Sequence, residues 1–227
     1  MESSTAKTSI KRIIIGMGIT CVIVTLVIIS PLVYGTIIAG RSAMMLQERL
    51  QMTEAEINVR NAMNAEADLA NAKNDLNEIH NGLMAMKSWQ SAPWFGTYIK
   101  GLEQGERSGS SAIDGLYDIA SVAAEVQRSM RAPYKTLPQE EKERIGEQII
   151  SSLPKLRLAR EKIAIAIDGW NRIPQDELVP SMRATVTPFV DQLTSANKTL
   201  SELLDTLDEA GTMERKKQAI QIWLSRS

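Results

Sequence analysis

The chain has 227 residues, with 26 Lys plus Arg against 27 Asp plus Glu, one cysteine and one histidine. Its length is enough to bury a core, and its near-balanced charge shows no excess that would point to a nucleic-acid partner. A lone Cys21 and a lone His80 exclude an internal disulfide framework and every zinc site built from several Cys or His.

Residues 1–12 read as a charged tail. From Ile13 to Gly40 the chain runs 28 residues without a charge, against the roughly 20 that a bilayer core needs. This predicts a transmembrane helix at 13–40. A cleaved signal peptide is the rival reading, but its apolar region spans only about 7 to 15 residues. Pro31 removes one backbone donor, which membrane helices tolerate when local adjustment satisfies the freed carbonyl. Gly35 and Ala39, four apart, offer a small-residue face for packing of a second membrane helix. Cys21 reads as a small residue of the same span. Lys7, Lys11 and Arg12 precede the span, and Arg41 and Arg49 follow it. That bias keeps the N-terminus in the cytoplasm and puts the rest of the chain outside it.

Residues 41–210 predict an elongated helical bundle, and the fold class is all-α. Apolar residues step by three and four from Ala55 through Ala62, Leu69, Leu76 and Leu83 to Met86, with Asn58 interrupting, as in the seam of a supercoiled helix. The pattern returns from Leu102 to Met130, from Ile145 to Trp170 and from Met182 to Ala210. Prolines 93, 133, 138, 174 and 180 mark the breaks. Short links favour antiparallel neighbours, so the simplest architecture is an up-down-up-down four-helix bundle. Pro154 lies inside the third seam and predicts a kink there or a restart after Ser151 and Ser152. Gly101, Gly105 and Gly109 predict a close approach of the first two helices.

The stretch WQSAPWFGTYIK, residues 89–100, gathers four of the chain's ten aromatic residues. An unbroken first helix from about Arg41 would carry Trp89 roughly 75 Å from the membrane. Trp89, Trp94, Phe95 and Tyr98 would then sit at the distal tip, joined by Trp170 and Phe189 from the third and fourth helices. Such rings either cap the open end of a bundle or dock a partner. After Gly211, residues 211–227 form a basic amphipathic tail with Ala219, Ile220, Trp223 and Leu224 near one face. That tail has three predicted fates: packing on the bare stalk of residues 41–55, resting on lipid headgroups, or binding a second subunit.

Nothing in the chain composes a catalytic site. His80 has no nucleophile signature around it, a di-metal carboxylate bundle takes two Glu-x-x-His pairs, and GERSGSSAIDG lacks a P-loop lysine. Glu140 with Glu141, and Asp205 with Asp208 and Glu209, read as solvated helix faces and first-turn acids. Asn197-Lys198-Thr199 matches a glycosylation triplet incidentally. The reading is therefore no enzyme, with no catalytic, cofactor-binding or metal residue and no small-molecule substrate.

The order of features is a charged tail, one membrane helix, NAEADLANAKNDLNEIHNGL, the turn KSWQSAPWFGTY, and LRLAREKIAIAIDGWNRIPQDELVPSMRATVTPFVDQLTSANKTLSELLDTLDEA. Over residues 10 to 210 this resembles the helical N-terminal region of a bacterial single-pass membrane-anchored family of unknown function. The resemblance implies a helical region that leads, in that family, into a C-terminal globular domain not found in this chain. No site residue carries over. The expectation is a membrane-anchored scaffold or accessory subunit with a protein partner or a second copy of itself. The candidate contacts are Trp89, Trp94, Phe95, Tyr98, Trp170 and Trp223. An extracytoplasmic sensory bundle is the alternative, although it would need a second membrane helix, and an enzyme ranks third.

Overall fold

The computed structural model of the protein describes residues 62–92, 96–132, 134–173 and 180–226. They are all-helical. Six α-helices appear among them: α1 (Ala62–Met86), α2 (Gly96–Ser129), α3 (Gln139–Ser151), α4 (Leu153–Asn171), α5 (Pro180–Glu209) and α6 (Met213–Arg226), with 3-10 turns at Lys87–Trp89 and Tyr134–Thr136. The predicted membrane helix at 13–40, with Gly35 and Ala39, lies outside the described residues, as does the stalk at 41–55. Among the described residues no helix is long and apolar enough to cross a membrane.

α1 buries one stripe and exposes the rest. Ala62, Ala65, Leu69, Ala72, Leu76, Leu83 and Met86 are buried, at the three-and-four spacing read from the sequence. Their partners on α2 include Ile113 and Ala120, with Leu116 and Tyr117 packed alongside. Each fully buried Leu or Ile in such a seam is worth about 1.5–3 kcal/mol relative to exposure. Lys73 adds a polar tie to Asp114 at 2.6 Å while lying 4.9 Å above the Tyr117 ring.

The extensive pairings run α1 with α2, α2 with α4, and α4 with α5, while α3 pairs with α6. Ion pairs fix their sense. Lys162 reaches Asp118 at 2.6 Å and Lys155 donates to Ser121 at 2.7 Å, so α2 and α4 are antiparallel. Arg157 with Asp208, and Arg160 with Asp205 at 3.9 Å, do the same for α4 and α5. Among the described residues α1 does not pack extensively along α5, so the helices follow one another side by side rather than closing a ring.

One feature follows the restart expected at Pro154 and one departs from the sequence reading, each for a local reason. The third predicted helix is two, because the chain breaks at Ser152 and restarts at Leu153 with Pro154 in the first turn, where a missing N–H costs nothing. The predicted close approach of α1 and α2 at three glycines is corrected. Only Gly109 faces α1, at ordinary distance from Leu76; Gly105 faces Trp170, and Gly101 has nothing within 4 Å. The tight contact is between α2 and α4. A Cβ on Gly115 would lie 2.7 Å from Ile163 Cγ1 and 2.9 Å from the Ala159 carbonyl oxygen, and one on Gly169 would collide with Ser108.

The largest core cluster closes the end of the molecule opposite the Trp89 turn. Val122, Val126, Ile145, Ile149, Leu153, Leu156, Leu200, Leu204 and Leu207 meet there, together with Ile220 of α6. Ile220 is only 1% exposed. The tail has three expected fates, and the stalk at 41–55 lies outside the described residues; within them α6 packs along α3 and supplies part of this core. The turn into it explains why. Gly211 takes φ +67, which other residues rarely adopt, and the Thr212 hydroxyl accepts the Arg215 N–H at 3.5 Å, capping the new helix.

Candidate functional site

Two surfaces are candidates, one at each end of the molecule. At the distal end, α1 gives way to the 3-10 turn and the chain re-enters α2 at Gly96. A Cβ there would collide with the Gln90 carbonyl, so this turn needs glycine. Gln90 Nε2 donates to Glu103 Oε2 at 3.1 Å, fastening the turn to α2, and Leu83, Met86 and Ile99 seal the space beneath it.

The predicted aromatic residues are not brought into a single cluster. Trp94 and Phe95 lie outside the described residues, and Trp89 falls in the 3-10 turn. Tyr98 is 43% exposed on the first turn of α2. Trp170, near the end of α4, instead packs its ring over Gly105, with Ile173 beside it, and its buried indole N–H has no hydrogen-bond partner among the described residues. Phe189 belongs to the mid-helix core with Ala112, Ile163, Ala166 and Leu193. Of these described aromatic side chains, Tyr98 is the one presented to solvent. His80 is exposed, with Nδ1 3.5 Å from Glu106 Oε2.

The basal end is built from the Tyr134–Thr136 turn, α3 and α6. Pro138 leads into α3, and Glu140 and Glu141 in its first turn suit the positive end of the helix dipole. α6 runs antiparallel to α3: the Lys217 stem lies over Gly146 and its ammonium reaches Glu147 at 2.7 Å. That hydrogen bond holds the Lys217 pKa above its ordinary value, with the nearby carboxylates adding to it. Burial pushes the Tyr134 phenol up, and its hydroxyl is buried with no hydrogen bond among the described residues. Lys142 lies 5.8 Å above the Tyr134 ring and donates to the Lys135 carbonyl at 3.5 Å. On α6, Met213 and Ile222 are each 53% exposed and Trp223 is 39% exposed.

Sequence reading found Trp223 but missed Tyr134, Lys135, Lys142 and Ile222, which the fold of α6 onto α3 brings together. No local pattern announces that meeting. Among the described residues, no group of three or more His, Cys, Asp or Glu is arranged to hold a metal ion. The described residues form an all-helical protein body with an exposed surface at each end. Comparison with protein-family models, curated proteins and solved structures gives no match in any of the three.

Proposed function

We propose that this protein is a single-pass, membrane-anchored helical scaffold, an interaction subunit of a membrane or envelope complex. The observation that carries the reading is the uncharged run at 13–40, 28 residues long, joined to an all-helical body. Residues 13–40 form the membrane helix, Gly35 and Ala39 supply its packing face, and the N-terminus stays in the cytoplasm. The body is an elongated antiparallel bundle that presents Tyr98 near one end and Trp223 at the other. The order of features, which resembles that of a bacterial membrane-anchored family, is in keeping with the same reading and assigns no site residue.

Two measurements on native membranes test it. Alkaline carbonate should leave the full chain in the membrane pellet, and release into the supernatant would refute the anchor. A photoreactive residue replacing Tyr98 should then capture one discrete protein, a partner or a second copy. Crosslinks from that position confined to the chain itself would refute an interaction role for the distal surface.

A further inference from the structure

α3 and α6 reach past the end of α2. Ser129, the last residue of α2, donates to Gln148 near the far end of α3 at 2.9 Å, so most of α3 and its partner α6 extend beyond it. Between them and the Tyr134–Thr136 turn lies an open groove. Among the described residues its charge comes from Lys135 and Lys142, and no carboxylate lines it. Gln218 and Gln221 add amides, while Gln139 donates to Glu143 at 3.2 Å. Ile222 lies on the groove's lip, with Trp223 next in sequence on α6, and both are exposed. A cationic groove edged by an exposed isoleucine, with an exposed tryptophan on the same helix, matches an anionic lipid interface, where headgroup phosphates meet ammonium groups and an indole straddles the boundary.

The chain's own layout argues for a bilayer as the occupant. α1 starts at this basal end, where the Met63 N–H donates to Gln127 near the end of α2. Only residues 41–61 separate α1 from the uncharged run, and that length of chain spans at most about 70 Å. The 25 residues of α1 carry the Trp89 turn about 37 Å away from this end.

We propose that the basal groove, with Ile222 at its lip and the exposed Trp223 on the same helix, docks on the surface of an anionic phospholipid bilayer. Lys135 and Lys142 hold headgroup phosphates, and the two apolar side chains enter the interfacial layer. The inference rests on anchoring through residues 13–40, which keeps this surface close to one membrane.

The test uses the full chain with Cys21→Ser and Ile222→Cys, labelled with an environment-sensitive fluorophore and reconstituted into vesicles. A second preparation carries the label at Met84→Cys, near the opposite end and 48% exposed in the parent residue. Vesicles of phosphatidylcholine, alone or mixed with phosphatidylglycerol, contain shallow spin-labelled lipid as quencher. Position 222 should be quenched strongly only with phosphatidylglycerol, and salt should reverse the quenching. Lys135→Gln and Lys142→Gln should each lower the docked-to-undocked ratio roughly fivefold. Position 84 should stay unquenched. Equal quenching at both positions, indifference to phosphatidylglycerol, or lipid-independent crosslinking of 222 between two copies overturns the proposal. An alkaline wash of the same vesicles separates the two readings. A retained chain with position 222 unquenched defeats docking alone, whereas a released chain defeats the anchor and the inference with it.

Discussion

Replacing Gly115 by alanine tests whether α2 and α4 are held at a distance that only hydrogen permits. In an ordinary helix interior alanine is favoured over glycine by about 1 kcal/mol. At Gly115 the new Cβ meets Ile163 Cγ1 at 2.7 Å and the Ala159 carbonyl oxygen at 2.9 Å. The isoleucine has rotamer freedom, but the carbonyl belongs to α4's backbone, so the helices must part by a few tenths of an ångström. Overpacking of this kind costs about 1–3 kcal/mol. After the propensity gain the net loss should be up to about 2 kcal/mol, lowering Tm by up to about 8 °C for a chain of this size. Gly101 is the control, because nothing lies within 4 Å of its Cβ position. Gly101→Ala should raise Tm by about 2–4 °C on propensity alone. Both variants are read by thermal unfolding of the full chain in detergent, followed by far-ultraviolet circular dichroism. A Gly115→Ala protein that melts at or above Gly101→Ala would refute the close approach.

Three further outcomes follow from α6 and its turn. Gly211→Ala should cost about 1 kcal/mol through backbone strain at φ +67, since its surroundings are open, and Gly211→Asn should recover part of that loss in the same melts. Ile220→Ala should cost about 2–5 kcal/mol as a core cavity, while Ile222→Ala on the exposed side should stay within about 0.5 kcal/mol; equal effects in chemical denaturation would show that α6 is not core. Lys217 has a folded pKa raised by its bond to Glu147, so the stability it contributes is present below its ordinary value of 10.5 and lost as pH rises through the folded value. Melts of wild type and Lys217→Met should therefore differ at neutral pH and converge above pH 10.5.

The helices were legible because each keeps one apolar stripe at helical spacing, and α1 buries the alanines and leucines that the spacing selects. The restart at Leu153 was legible from Pro154 because a proline constrains only its own turn. The tight glycines were not. Gly115 and Gly169 sit in helical stretches like those around Gly101, and what separates them is the helix opposite, which depends on how α4 lies against α2. Trp170 escaped the predicted tip for the same reason, since Gly105 leaves a space that its ring occupies. The groove at Tyr134, Lys135 and Lys142 depended on α6 packing along α3, a tertiary choice that a local amphipathic pattern leaves open.

The two breaks explain how α6 reaches that position. Arg157 with Asp208 and Lys217 with Glu147 obey almost the same antiparallel register, one pair on each side of Ser152 and Gly211. The chain therefore interrupts both helices of one hairpin at the same level, α3 into α4 on one side and α5 into α6 on the other. A break in one partner alone would pull its apolar stripe away from a straight neighbour. Breaks in both keep the stripes facing, so Ile145 and Ile149 still share a core with Ile220 below the joint, while Leu156 and Leu204 share it above. The left-handed glycine and the restarted proline turn are thus one device seen in two strands of the hairpin. Straightening either should disturb the packing of α6, and with it the surface that carries Ile222 and Trp223.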